Sequence, residues 1–137
     1  MMYNKPLPLV NADTMVFWEG CRKHEFRIQR CDDCGHLRWP PSFLCPRCLS
    51  KETQWITASG RGVVYSYVIY HAADDPAFRD SLPYVVALVA LEEGPHFLTN
   101  IVGCAPHDVF CGMAVATSWD DVTETVSLPK FCPAAKE

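Results

Sequence analysis

The sequence predicts a mainly β protein: a short N-terminal helix, a metal-pinned hairpin and a small five-stranded antiparallel barrel. Three observations carry this reading. Four of the eight cysteines form two Cys-x-x-Cys pairs between Cys31 and Cys48. Five β-branched or aromatic runs follow residue 60, separated by Gly, Pro and Asp turn signals. The 137 residues, 49% hydrophobic and 20% charged, suffice for one small core.

The elements follow in chain order. Residues 1–12 contain Pro6 and Pro8 and read as an extended arm. Asp13 is placed to cap a helix, because its carboxylate can accept from free amides two or three residues on. Residues 14–23 form that helix, with Val16, Phe17, Gly20 and Cys21 at helical spacing. It is too short to stand alone, so the bulky Phe17 and Trp18 must pack on something. Residues 25–30 alternate in polarity and lead as a strand into Cys31; residues 53–57 form another short strand. Barrel strands are expected at 63–70, 84–91, 97–102, 115–119 and 123–128. Glu92-Glu93-Gly94-Pro95 and Asp120-Asp121 turn two hairpins, 72–83 is a loop, and 105–112 is a turn or a single helical turn. The chain divides into 1–30 (arm, helix and lead-in strand), 31–58 (metal ribbon) and 59–137 (barrel).

The strongest motif is CDDCGHLRWPPSFLCPRC, from Cys31 to Cys48. Each Cys-x-x-Cys folds into a knuckle that aims two thiolates at one point. Ten residues between Cys34 and Cys45 allow a hairpin that brings the knuckles together. Gly35 follows the first knuckle, where positive φ is needed. Four thiolates, Cys31, Cys34, Cys45 and Cys48, suit tetrahedral Zn²⁺ in a closed structural site; iron shares the ligand set and is the alternative metal. His24 and His36 read as surface residues, and Cys21, Cys104, Cys111 and Cys132 as small buried side chains.

Charge is unevenly distributed. Residues 1–59 hold eight Lys/Arg against six Asp/Glu, and residues 60–137 hold four against ten. The acidic barrel argues against a phosphate backbone as partner. No nucleophile–base–orienter set stands out, Cys104 with His107 being the nearest approach, so the expected catalytic set is empty. The N-terminus lacks the apolar core of a signal peptide and no run is long enough to span a bilayer, giving a cytoplasmic expectation without membrane.

Taken together, FWEG at 17–20, QRCDDCG at 29–35, WPPSFLCPRC at 39–48, SGRGVVYSY at 59–67, PYVVALVALEEG at 83–94 and PKFCP at 129–133 are similar to one known family. The chain resembles the zinc-ribbon plus OB-fold proteins associated with thiolase-like enzymes, over residues 15–133. His24 stands where such proteins often have Gly. The resemblance implies a rubredoxin-like ribbon, a C-terminal OB barrel and a thiolase-like partner that carries the catalytic groups. It implies a non-catalytic role: scaffolding that enzyme and helping it bind acyl-CoA. Settings for such pairs include a benzoylsuccinyl-CoA thiolase of anaerobic aromatic degradation, a steroid side-chain aldolase and acetoacetyl-CoA chemistry.

Within that frame Phe17, Trp18, Trp39, Pro40 and Pro41 are expected at the partner interface, being bulky groups on the helix and hairpin tip. Arg22, Arg38, Arg47 and Arg61 are expected to hold the phosphates of the coenzyme A thioester, since the acidic barrel offers no basic cluster. The competing class is a single-stranded nucleic-acid-binding OB protein, for which Tyr65, Tyr67, Tyr70 and Tyr84 would be the stacking residues.

Overall fold

The computed structural model describes residues 3–134. After the arm come α1 (Met15–Arg22), β1 (Arg27–Cys31), β2 (Leu37–Arg38) and β3 (Thr53–Thr57). The barrel follows: β4 (Arg61–Tyr70), the four-residue α2 (Pro76–Arg79), β5 (Tyr84–Leu91), β6 (His96–Ile101), β7 (Ala114–Asp121) and β8 (Ser127–Pro133). β2-β1-β3 form a three-stranded antiparallel sheet, and β4-β5-β6-β8-β7 close a barrel. A closed five-stranded barrel is what the strand count predicts, and the OB arrangement is what the resemblance implies.

Period-two alternation builds the barrel interior. Val85, Ala87, Val89 and Leu91 of β5 are buried, facing Val64, Val115 and Phe131. Gly62 permits the closest approach in the wall: a Cβ there would collide with the Ala90 carbonyl oxygen. The seam between β6 and β8 is thin, with a single parallel pair, Ile101 and Phe131.

An aromatic cluster joins helix, ribbon and barrel. Phe17 lies at its centre, with ring centroids 4.9 Å from Trp18, 5.7 Å from Phe26, 4.3 Å from Trp39 and 6.1 Å from Phe97. This is what the short helix packs on, and it corrects the expectation that Phe17 meets a partner: the side chain is 0% exposed.

Both helix ends depart from the sequence reading. The start is held by Asn11, whose Oδ1 accepts from the amides of Asp13 (2.9 Å) and Thr14 (3.0 Å), so Asn11 rather than Asp13 organises it. At the other end Glu25 N–H donates to the Gly20 carbonyl (2.8 Å) and His24 N–H to that of Cys21 (2.9 Å). These are the two bonds of a Schellman cap, with His24 at φ 60° in the left-handed position. Glycine adopts this conformation without a Cβ penalty, so the Gly expected there from the resemblance would meet no strain. His24 is held by a ring stack on Trp119 (5.3 Å, 4°) and a 2.8 Å contact from Nε2 to Asp121 Oδ1.

The last hairpin is displaced from its expected place. Asp121 pairs with Ser127, so the turn spans 122–126 rather than Asp120-Asp121, and β8 runs to Pro133. Thr123 sets it, its Oγ1 accepting from the amides of Thr125 (3.2 Å) and Val126 (3.0 Å). Cys111 is exposed and Cys104 and Cys132 are half-buried, while Cys21 is buried and its thiol pushed up to about 12 by desolvation. His107 contacts Asp108 at 3.5 Å.

Candidate metal centre and adjoining cleft

The two knuckles are near-copies of one local structure. In the first, Gly35 N–H donates to the Cys31 carbonyl (3.0 Å) and Cys31 N–H to that of His36 (2.9 Å). In the second, Leu49 N–H donates to the Cys45 carbonyl (2.8 Å) and Cys45 N–H to that of Ser50 (2.9 Å). Gly35 at φ 75° therefore corresponds to Leu49 at φ 64°. β1 and β3 hold the frame, since Cys31 is in register with Thr53.

The four sulfurs of Cys31, Cys34, Cys45 and Cys48 lie within 4.8 Å of one another. Cys31 and Cys48 Sγ are 3.5 Å apart, and Cys34 and Cys45 Sγ 3.6 Å. Disulfides would need about 2.05 Å, whereas tetrahedral metal–thiolate bonds of about 2.3 Å separate sulfurs by about 3.8 Å. The donor set fits a closed structural metal site. The surroundings favour thiolate at two of the four positions: the Cys34 amide holds the Cys31 thiol below its ordinary value, whereas the Cys48 thiol, although the Ser50 amide draws it down, is pushed up to about 12 by the neighbouring Cys31 sulfur and by burial. At Cys45 burial pushes upward, but the amides of Cys48 and Arg47 outweigh it and bring the thiol down to about 6. The Arg47 amide is 3.4 Å from Cys45 Sγ.

Beside the centre lies an open cleft of about 750 Å³, between the hairpin (His36, Arg38, Trp39), the second knuckle (Pro46, Arg47) and the β5–β6 turn (Glu93). Arg38 is 4% exposed. Its Nη2 donates to Thr53 Oγ1 (2.8 Å) and the Ser42 carbonyl (3.1 Å), while Nε and Nη1 have no acceptor. Among the described residues no carboxylate lies within 4 Å of this buried charge. Across the cleft Glu93 Oε2 accepts from Ser59 N–H (2.7 Å) and Oε1 has no donor.

The structure thus gathers two of the four expected phosphate contacts, Arg38 and Arg47, at one cleft. Arg22 and Arg61 do not line it; Arg61 contacts Glu92 at 3.3 Å. Of the expected interface residues, Trp18, Trp39 and Pro41 are half-buried and Pro40 exposed. Sequence reasoning missed Phe43 and Leu49, which are 66% and 70% exposed on the hairpin. An apolar residue in a turn-rich segment gives no signal of which way it faces.

A tetracysteine ribbon joined through a shared aromatic core to a closed OB barrel defines the class: a zinc-ribbon/OB-fold protein. Residues 18–54 match the family described as "ChsH2, rubredoxin-like zinc ribbon domain", and 55–120 match "ChsH2, C-terminal OB-fold domain". The chain is 40% identical over 96 residues to a DUF35 domain-containing scaffold protein of Methanocaldococcus jannaschii, covering 69% of this chain and 67% of that one. It is 41% identical over 133 residues to a probable enoyl-CoA hydratase alpha subunit of Thermomonospora curvata, and 40% over 114 residues to the 3-oxo-4,17-pregnadiene-20-carboxyl-CoA hydratase alpha subunit of Mycobacterium tuberculosis. These matches cover 97% and 83% of this chain but only 41% and 36% of those two proteins. A solved structure described as "Ltp2-ChsH2(DUF35) aldolase" superposes with a TM-score of 0.86 at 41% identity, covering 94% of this chain and all of that one. The chain belongs to the ChsH2/DUF35 family of zinc-ribbon plus OB-fold proteins.

Proposed function

We propose that this chain is a non-catalytic accessory subunit. It docks on an enzyme acting on CoA thioesters, a thiolase-like acyltransferase or aldolase, and helps that enzyme hold the thioester. The observation that carries the proposal is the near-complete superposition on the ChsH2(DUF35) part of an aldolase complex. Relatives named as alpha subunits of CoA-thioester hydratases point to the same substrate class. Zn²⁺ is the metal of the ribbon, in keeping with the family described for residues 18–54. Trp18, Trp39, Pro40 and Pro41, with the exposed Phe43, form the docking surface. No helix among the described residues is long and apolar enough to cross a membrane.

The metal-side cleft is the part of the chain that meets coenzyme A. Arg38 contributes a fixed positive charge with two unpartnered donors, facing the Glu93 carboxylate across the cleft, and the exposed Arg47 the accessible hydrogen bonds to phosphate. The nucleic-acid alternative gains nothing from the barrel: Tyr65 and Tyr70 are exposed, but Arg61 and Lys130 are each matched by a carboxylate. The experiment is co-purification with the enzyme partner from the native host, followed by Arg47→Glu in the assembled complex. A rise in KM for acyl-CoA of about tenfold or more, with kcat retained, supports the cleft. An unchanged KM removes the coenzyme A contact and leaves scaffolding; failure to capture any acyl-CoA enzyme overturns the function.

A further inference from the structure

A second cavity, of about 380 Å³, shares no residue with the metal-side cleft and opens at the thin β6–β8 seam. The arm contributes Tyr3 and Lys5 to its wall, the α2 region Phe78 and Ser81, and the strands Tyr84, Asn100 and Lys130. This is small-ligand size, and its walls are largely aromatic and aliphatic.

The charges in it are unequal. Lys130 Nζ is 2.7 Å from Asp120 and is neutralised there. Lys5 has no carboxylate within 4 Å among the described residues. Its ammonium lies instead 5.9 Å from the centroid of the Tyr3 ring and 5.7 Å from that of Phe78. Aromatic faces attract a cation without cancelling its charge. Burial, with Asp120 nearby, pushes the Tyr3 phenol up, so Tyr3 remains a neutral hydrogen-bond donor. The side-chain amide of Asn100 is fixed by its 2.8 Å bond to the Val85 carbonyl. The cavity therefore combines an apolar body with one half-buried, uncompensated cation.

We propose that this pocket binds a small organic acid, its carboxylate on Lys5 and its flat apolar body against Phe78 and Tyr84. The site is independent of the metal and of the coenzyme A reading. Neither a neutral analogue nor a carboxylate without an apolar body satisfies both halves of it.

The test titrates the metal-loaded protein with benzoate, benzamide and acetate, following amide resonances by NMR. Benzoate should give saturable shifts at Lys5, Phe78, Ser81 and Tyr84, and benzamide and acetate should bind at least about tenfold more weakly. Lys5→Met should reduce benzoate to the level of benzamide, with Lys5→Arg restoring it and both variants keeping the wild-type spectrum elsewhere. Absence of saturable shifts at these residues, equal binding of benzoate and benzamide, or a Lys5→Met protein that binds benzoate unchanged would each overturn the proposal.

Discussion

Leu49 and His24 occupy left-handed backbone positions that glycine fills at lower cost. Leu49 is 70% exposed and has little packing to lose. Leu49→Gly should therefore stabilise the metal-loaded protein by about 1 kcal/mol, measured by urea unfolding. His24 differs, because its ring stacks on Trp119 and meets Asp121. The hydrogen bond from His24 holds the Asp121 carboxyl below its ordinary value. A carboxylate whose pKa is lowered on folding adds stability above its unfolded value, ~3.9, and loses it as pH falls through the folded one. Asp121→Asn should thus flatten the acid limb of a stability–pH curve below about pH 4. Leu49 gave no sign of this beforehand, and the one sign at His24 was that it stands where Gly is expected from the resemblance; the sequence shows Leu and His, not the sign of φ.

The short helix shows how far sequence patterns carry at the level of elements. Its place and its need for a packing partner were readable from Phe17, Gly20 and Cys21. Which aromatic faced inward was not, because Phe17 and Trp18 are adjacent and the deciding surface comes from Phe26, Trp39 and Phe97. Phe17→Ala should cost about 3–5 kcal/mol of stability in a denaturant melt. Trp18→Ala should cost far less and instead weaken capture of the enzyme partner; equal losses of stability in the two would contradict this division. β5 was found at its observed limits because a continuous apolar run of strand length is bounded by Pro83 on one side and Glu92-Glu93-Gly94-Pro95 on the other. β8 was displaced because the Asp120-Asp121 turn signal competed with the Thr123 turn, and strand register decided for Thr123.

Across the whole molecule, the four-thiol cluster was legible, since the Cys-x-x-Cys geometry is local and needs only one hairpin to complete it. The cleft beside them was not. It needs Glu93 from a turn some fifty residues downstream, and it separates Arg38 and Arg47 from Arg22 and Arg61, which composition alone cannot do. A metal–tetrathiolate centre would pin the two knuckles together, while the aromatic cluster seats the hairpin on the barrel, and the docking surface and cleft depend on both. Binding energy at such a centre is folding energy, so the ribbon should lose its structure when the metal is removed. The most direct measurement is metal content per chain of freshly purified protein, alongside Cys31→Ser. One zinc per chain is expected, and in the variant a lower occupancy with an unfolded ribbon. Substoichiometric zinc and iron in the wild-type protein, with the ribbon still folded, would contradict it.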